Sequence, residues 1–448
     1  MATATTVIEM PATPTNQHTS VEISNGSSAS TQIPLEPFAQ ANGQVVQAWE
    51  RWNRPRINTY RLAAIFFAFL VFGMNDGSYG ALVPYIEQDY HLSYIVTSLV
   101  FLSPFAGYTV AALFSDRLHM FVGRRGIAII APSCKVISYA VIAAHPPYPA
   151  VVAILAITGL GNGLLDAAWN AWIGTLAQTN QLLGLLHGFY GLGATISPLI
   201  STSIITQGHL GWWTFFYIMT GLSALEILTG TWAFWSETGA KYIDVNRTDG
   251  ADKGMTRKAL KQKVTWICAS FLLCYVGLEV SLGGWIVNFM IRVRKGQPFP
   301  SGMTATGFWL GLTVGRVVLG FITPMIGERI AVSAYLVIAV GCELVFWLVP
   351  QFIVSAVAVA LVGFFTGPIF PSTIIAVTKL LPSEMHVAAI GFSAAVGGSG
   401  AALLPFAVGA IAQAKGPATL QPIVLALLAV LLGIWLTLPR MPKRLHEA

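Results

Sequence analysis

Charge is what this sequence has least of. Only 10% of its 448 residues are Asp, Glu, Lys or Arg, against 55% hydrophobic, and the mean hydropathy is +0.67. A water-soluble domain carries about 25% charged residues, so the composition argues against a soluble chain. Cysteine is scarce too. Cys134, Cys268, Cys274 and Cys342 each fall inside an apolar run, without metal-ligand spacing, and read as small hydrophobes rather than a disulfide framework or a metal centre. The first 50 residues hold no Lys or Arg. A segment without a basic start and an apolar core is not a signal peptide, and its Ser, Thr, Gln, Asn and Pro content predicts a disordered tail. A P-loop, a metal cluster and a GxSxG elbow are missing, which leaves ATP-driven and hydrolytic chemistry unsupported and predicts no cofactor. The net charge of +6 does not point to nucleic acid, because the basic residues sit in short gaps between apolar runs and form no single stripe.

What is present is a series of apolar runs. Twelve occur, at about 60–86, 95–115, 126–144, 150–177, 183–206, 211–236, 264–291, 302–326, 330–349, 351–378, 385–411 and 418–438. Each is long enough to cross a bilayer as a helix, and none shows the two-residue alternation of a membrane barrel strand. With the N-terminus placed in the cytoplasm, nineteen Lys and Arg fall on the inner side and four on the outer (Arg292, Arg294, Lys295, Lys415), while Lys135 and Arg316 lie within helices. That asymmetry predicts both termini inside. The expected organisation is a cytoplasmic tail over 1–55, a six-helix half over 56–236, a basic linker over 237–263, a second six-helix half over 264–439 and a short tail over 440–448.

The two halves repeat. "GYTVAALFSDRLHMFVGRR" from Gly107 overlies "GLTVGRVVLGFITPMIGER" from Gly311, an offset of 204 that also carries Gly73 onto Gly277, Gly80 onto Gly284, Gly159 onto Gly363 and Gly163 onto Gly367. "GLGATISP" from Gly191 matches "GSGAALLP" from Gly398 at an offset of 207. A duplicated six-helix unit implies parallel repeats about an axis along the membrane normal, with a solute site between the halves near the midplane.

These residues resemble the major facilitator superfamily. "FSDRLHMFVGRR" is similar to that superfamily's Asp-Arg-x-Gly-Arg-Arg loop, with four extra residues between Arg117 and Gly123. Within it, "GMNDGSYGALVP", "GLLDAAWN" and "YVGLEVSLGGWI" resemble the fucose–proton symporter type and its eukaryotic, fungal-like relatives. The resemblance covers about 60–440 and implies an all-α fold of twelve membrane helices. It also implies carboxylates in the first and fourth helices that serve proton coupling and solute binding, here at Asp76 and Asp166. The fourth-helix acid is often a Glu in bacterial members and is one methylene shorter here. The resemblance does not carry substrate identity, since one fold serves many solutes.

The residues themselves leave alternatives. An ionised carboxylate at the bilayer centre costs roughly 2.5–3.5 kcal/mol on insertion scales, so such an acid pairs, faces water or holds a proton. Asp76 has Asn75 beside it, and Asp166 has Asn162 and Asn170 one turn away on either side. Each is read as a coupling or solute group, or as an interhelical structural bond. Glu279 overlies Asn75 in the repeat and, with Trp285 and Asn288, divides evenly between the two. Glu226 and Glu343 have little polar company and read as structural or as sitting at the membrane interface. Lys135, nine residues into its helix, is expected to pair with Asp76 or Asp166, or to tune them or contact an anionic solute. Asp116, Arg117, Arg124 and Arg125 are expected to clamp an inner gate or to anchor that face, and Arg316 to gate or to brace. Trp169, Trp172, Trp285 and Trp309 are candidates for stacking on a sugar ring or for anchoring, and His187 and Tyr190 stand beside them as weaker candidates.

The expected function is proton-coupled secondary transport of a small polar solute, such as a hexose or deoxyhexose. The alternatives are a proton-driven exporter of an organic metabolite or drug, and a transport-dead sensor. The partners are then the solute, protons and the bilayer, for a monomer in the plasma membrane or the vacuole. The sequons at Asn25 and Asn246 face the cytoplasm in this topology, so glycosidase treatment of protein from a eukaryotic host is expected to leave its gel mobility unchanged.

Overall fold

In hydrocarbon every backbone N–H and C=O must be satisfied within its own segment, so each apolar run forms a helix. A computed structural model describes residues 40–41, 44–45, 50–246 and 253–441. Most of the 1–55 tail, residues 247–252 of the linker and the last seven residues lie outside the described set. Gln40–Ala41 and Gln44–Val45 pair as an antiparallel two-residue hairpin, the one sheet among the described residues; the other elements among them are helices.

The spanning helices are α1 (Ile57–Asp89), α4 (Tyr148–Gly174), α5 (Thr179–Thr206), α6 (Phe215–Ala233), α7 (Lys263–Arg292), α8 (Pro298–Ile326), α9 (Glu328–Leu348), α11 (His386–Lys415) and α12 (Leu420–Thr437). Leu99–Ala143 runs on as 45 residues, but Gly123 inside it has φ 68° and ψ −175°. A residue with a side chain rarely adopts that conformation, and a Cβ there would lie 2.3 Å from the Thr238 carbonyl carbon. The break divides the stretch into α2 (99–122) and α3 (124–143). Phe352–Leu380 forms α10, bent where Pro368 interrupts the amide ladder. Ten segments meet a length-and-hydropathy criterion for crossing a membrane. Dividing at Gly123, and adding the 19-residue α6, gives the twelve spans of the sequence reading. The linker contains two short helices, Gly239–Asn246 and Lys253–Leu260.

The duplication is visible in how backbones touch. A Cβ on Gly107 of α2 would lie 1.7 Å from the Ala156 carbonyl oxygen of α4, and one on Gly311 of α8 would lie 2.1 Å from that of Ala360 on α10. Reciprocally, a Cβ on Gly159 would lie 1.8 Å from the Pro104 carbonyl oxygen and one on Gly363 2.3 Å from that of Phe308. Ala156 to Ala360 and Pro104 to Phe308 are both steps of 204, so the repeat preserves the contact and both of its partners.

Helices α1, α3, α5, α7, α9 and α11 leave the end of the bundle where the 234–262 connection lies, here the terminal end, and run toward the far end. The halves meet closely at the far end. Gly80 of α1 lies against the Gly283 backbone of α7, where a Cβ would come within 1.9 Å of the carbonyl oxygen. Tyr94 meets Trp285 edge-on and Phe101 lies tilted against the same ring, and Ser98 fits against Gly409 of α11.

Replacing Gly107 or Gly311 by Leu forces these helix pairs apart and is expected to destabilise the fold by about 1–3 kcal/mol or more, seen as loss of the monodisperse peak in thermal size-exclusion assays. Gly341→Leu, with open space around its Cα, is expected to leave the melting temperature within a degree or two.

Candidate functional site

The middle of the bundle gathers five helices around two carboxylates. Asp76 lies about midway along α1 and is half-buried. Tyr190 of α5 donates its hydroxyl to Oδ2 at 2.8 Å, and Asn75 donates Nδ2 to Oδ1 at 2.8 Å. Asn75 is itself held by Tyr139 of α3, whose hydroxyl donates to Asn75 Oδ1 at 3.0 Å. On α4, Asp166 is also half-buried. Its Oδ2 accepts the Tyr108 hydroxyl of α2. Asn170, one turn on, donates Nδ2 to Oδ1 at 2.7 Å and to the Asp166 carbonyl at 2.9 Å. The i, i+4 spacing thus becomes a real clasp. Asp166 and Glu279 both lie within electrostatic range of Asp76.

The second half answers with a cation. Arg316 of α8 approaches Glu279 of α7 at 3.6 Å, donates Nε to the Gly367 carbonyl at 3.1 Å, and reaches the Tyr275 hydroxyl at 3.5 Å. It is close enough to His187 and Tyr190 of the first half to act on them electrostatically. The centre is therefore lopsided: two aspartates held by neutral donors on one side, a guanidinium with its own carboxylate on the other. Such a lining offers hydroxyl, amide and charged groups to a polar solute and provides no set of His, Cys, Asp and Glu able to hold a metal among the described residues.

Residues 65–349 match the family description "Major Facilitator Superfamily". The chain belongs to the major facilitator superfamily. A Saccharomyces cerevisiae protein named "Bypass of stop codon protein 6" is 29% identical over 439 residues, 88% of each chain. The glucose/mannose transporter GlcP of Bacillus subtilis is 21% identical over 316 residues, 68% of this chain and 76% of that one. The crystal structure of a D-xylose–proton symporter superposes with a TM-score of 0.69 at 13% identity, covering 86% of this chain and 98% of the other, which shows the fold. The protein is thus a multi-pass integral membrane transporter of two six-helix halves, not an enzyme.

In this transporter several sequence expectations move. Lys135 does not pair with Asp76 or Asp166. It is fully buried on α3 and binds Glu226 of α6 at 2.5 Å, because α3 and α6 pack together on the flank of the first half. This is a structural pair, as read for Glu226, with a different partner for the lysine. Asn288 faces the far end, donating to Glu87 at 2.8 Å, away from the central aspartates. Asn162 is buried on the Asp166 helix, with its Oδ1 unpartnered and no bond to Asp166. Trp169 stacks on Phe234 at 4.6 Å and Trp172 meets the same ring at 5.7 Å, so both faces serve packing near the terminal end. Trp285 donates to the Pro405 carbonyl at 3.0 Å within the far-end contact. Trp309 is buried with Nε1 unpartnered. Glu343 of α9 and Gln421 of the adjacent α12 are fully buried, and their side-chain oxygens and the Gln421 nitrogen have no partner among the described residues.

The terminal-end clamp also takes another form. Its hub is Glu237, which the sequence reading did not single out. Glu237 binds Arg61 at 2.8 Å, Arg124 at 3.2 Å and Lys241 at 2.5 Å. Arg125 lies over Trp235, 4.8 Å from the ring centre, and its amide donates to the Glu237 carbonyl at 2.9 Å. Asp116 and Arg117 form no ion pair among the described residues. All three cations on Glu237 belong to the first half or its exit, so this clasp braces that half internally. The second half has a smaller version, Lys379 on Glu328 at 2.6 Å.

Burial raises the Glu237 carboxyl, but Lys241, Arg61 and Arg124 outweigh it and hold the group below its ordinary 4.5. A depressed carboxyl stabilises the fold fully above that ordinary value, and the benefit fades as pH falls through the lower folded value. Glu237→Gln is expected to cost roughly 1.5–3 kcal/mol in thermal melts at pH 7. The gap from wild type should narrow steadily as melts are repeated below pH 4.5; an undiminished gap at pH 3 contradicts the clasp.

Proposed function

We propose that this transporter is a proton-coupled symporter of a hexose or a closely related small polar solute, with Asp76 and Asp166 binding the proton, the solute or both. One contrast carries the proposal. Of the five acids in the middle of the helices, Glu226 and Glu279 each have a cation, Lys135 at 2.5 Å and Arg316 at 3.6 Å, and Glu343 is sealed off. Asp76 and Asp166 alone are half-buried and held only by neutral hydroxyls and amides. A carboxylate locked to a cation has little reason to change its proton occupancy. One facing polar space with neutral donors can gain a proton without leaving a buried cation unpaired. Loading a proton also lowers the cost of carrying that group through an occluded state in a low-dielectric core.

The sugar class is supported by the similarity to a bacterial glucose/mannose transporter, by the fold shared with a D-xylose–proton symporter, and by the polar groups at the centre. Tyr108, Tyr190, Asn75 and Asn170 offer the paired donors and acceptors that pyranose hydroxyls require, and Arg316 adds a fork of donors. The working unit is a monomer, and the plasma membrane is the favoured site.

The test is reconstitution into proteoliposomes and uptake of labelled D-glucose, D-mannose, D-xylose and L-fucose, with and without an inward proton gradient. Gradient-driven accumulation of at least one is expected. Asp76→Asn and Asp166→Asn should each cut accumulation at least about a hundredfold, as loss of a required proton-transfer group does, with counterflow surviving in at least one. Absence of gradient-dependent flux for the whole panel sinks the sugar reading; unimpaired accumulation in both variants removes the aspartates as coupling groups.

A further inference from the structure

The geometry points to Glu87 as the latch that holds the two halves shut at the far end, and to its release as a required step of the transport cycle. This rests on the chain's being a transporter of two moving halves and is independent of the solute and of proton coupling.

Among the described residues, three hydrogen bonds join the first half to the second, and all lie at the far end. Glu87, on the last turn of α1, makes two of them. Its Oε2 accepts from Asn288 Nδ2 at 2.8 Å and its Oε1 from Arg292 Nη2 at 3.2 Å. The third runs from the Tyr94 amide to Gln413 Oε1 of α11 at 2.9 Å. Asn288 and Arg292 are one turn apart on α7, so both reach the same carboxylate. The only ion pair between halves among the described residues is that of Glu87 with Arg292.

The surroundings make this pair costly to break and simple to reset. Glu87 is 9% exposed and Asn288 fully buried, so both bonds are charge-assisted and the one to Asn288 is shielded from competing water. Arg292, by contrast, is about half-exposed, its side chain at 47%, and solvates readily when the pair opens. Beneath the latch, Gly80 and Gly283 meet backbone to backbone and Tyr94, Phe101 and Trp285 seal the seam. Those contacts are short-ranged and non-directional, so they hold the seam only while it stays closed. The latch supplies its registry. Asn288 Oδ1 has no partner, which leaves the amide free to accept as well as donate. It can therefore serve a reversed charge pair at the same place.

Helices carrying only structural charges have no need to place their sole cross-half ion pair over the solute route. The central groups follow the same logic: Glu279 and Arg316 pair within the second half, and Glu237 clasps within the first. At the terminal end no described hydrogen bond or ion pair joins the halves.

Ser98, fully buried against Gly409, reports the seam. In a background with the four native cysteines replaced by Ser, Ser98→Cys is labelled with a membrane-impermeant methanethiosulfonate in purified, detergent-solubilised protein. No solute is needed. Removing Glu87 with Glu87→Ala is expected to raise the labelling rate at least about tenfold, the equilibrium shift that even one of the two charge-assisted hydrogen bonds lost would produce. Glu87→Arg should do at least as much. Glu87→Arg with Arg292→Glu should return the rate toward that of the parent, using the free Asn288 oxygen. Equal rates in parent, Glu87→Ala and Glu87→Arg overturn the proposal. Where a single variant fails to give a monodisperse peak, the charge-swapped protein decides: slow labelling supports the latch, and labelling well above the parent rate overturns it. A failure of sugar uptake with an intact labelling pattern would touch only the proposed solute.

Discussion

The whole structure depends on the cost of leaving a polar group alone in hydrocarbon. That cost turns each apolar run into a helix, and it decides where every charged side chain goes. Lys135 could have served many roles by sequence, yet fully buried it needs a carboxylate, and the one that packing presents is Glu226. Arg316 is met in the same way by Glu279, Tyr275 and the Gly367 carbonyl. Against this background the two aspartates stand out by what they lack. Their partners are neutral, and both are only half-buried.

Scaffold and site obey different symmetries. The scaffold repeats closely: Gly107 and Gly311, Gly159 and Gly363 make the same backbone contacts with partners that are themselves a repeat apart. The polar centre does not repeat. Asp166 and its clasp occur in α4, while the corresponding part of α10 contains the Gly367–Pro368 bend. Arg316 on α8 corresponds to Ala112 on α2 in the same register. Duplication thus supplies a symmetric frame in which two halves can rock, and divergence has given each half its own chemical surface.

Much of the frame was legible in the sequence because its signals are local. Apolar length, glycine spacing and the mid-helix acids need only a single segment to be read, and "GNGLLDAAWNAW" declares the Asp166–Asn170 pairing by its four-residue step. What was not legible depends on which helices become neighbours. Tyr108 and Asp166 are 58 residues apart, Arg61 and Glu237 176 apart, Glu87 and Asn288 201 apart. No periodicity announces such pairs. Glu87 sits at a helix end where an acid is unremarkable, and Asn288 stands out in the sequence by its nearness to Glu279 and Trp285 rather than through the residue it binds. The sequence marks the basic loop, but only its Arg124 binds the Glu237 carboxylate, whereas Asp116 and Arg117, in the same motif, stand outside the clasp. Motif membership identified the region and left the partner to the fold.

The contact of Gly80 with Gly283 has a consequence beyond sealing the far end. With no side chain between them, these two backbones set the smallest separation the halves can reach and so act as a mechanical stop. Helix α1 runs unbroken from that stop back past Asp76, as a rigid lever. A methyl group added at the stop would tilt the lever about its packed middle and alter the gap between Asp76 and Arg316 without touching either. The dimensions of the polar centre are therefore governed partly by residues outside it, and variants that alter its width should be sought along that seam as well as among the groups of the centre.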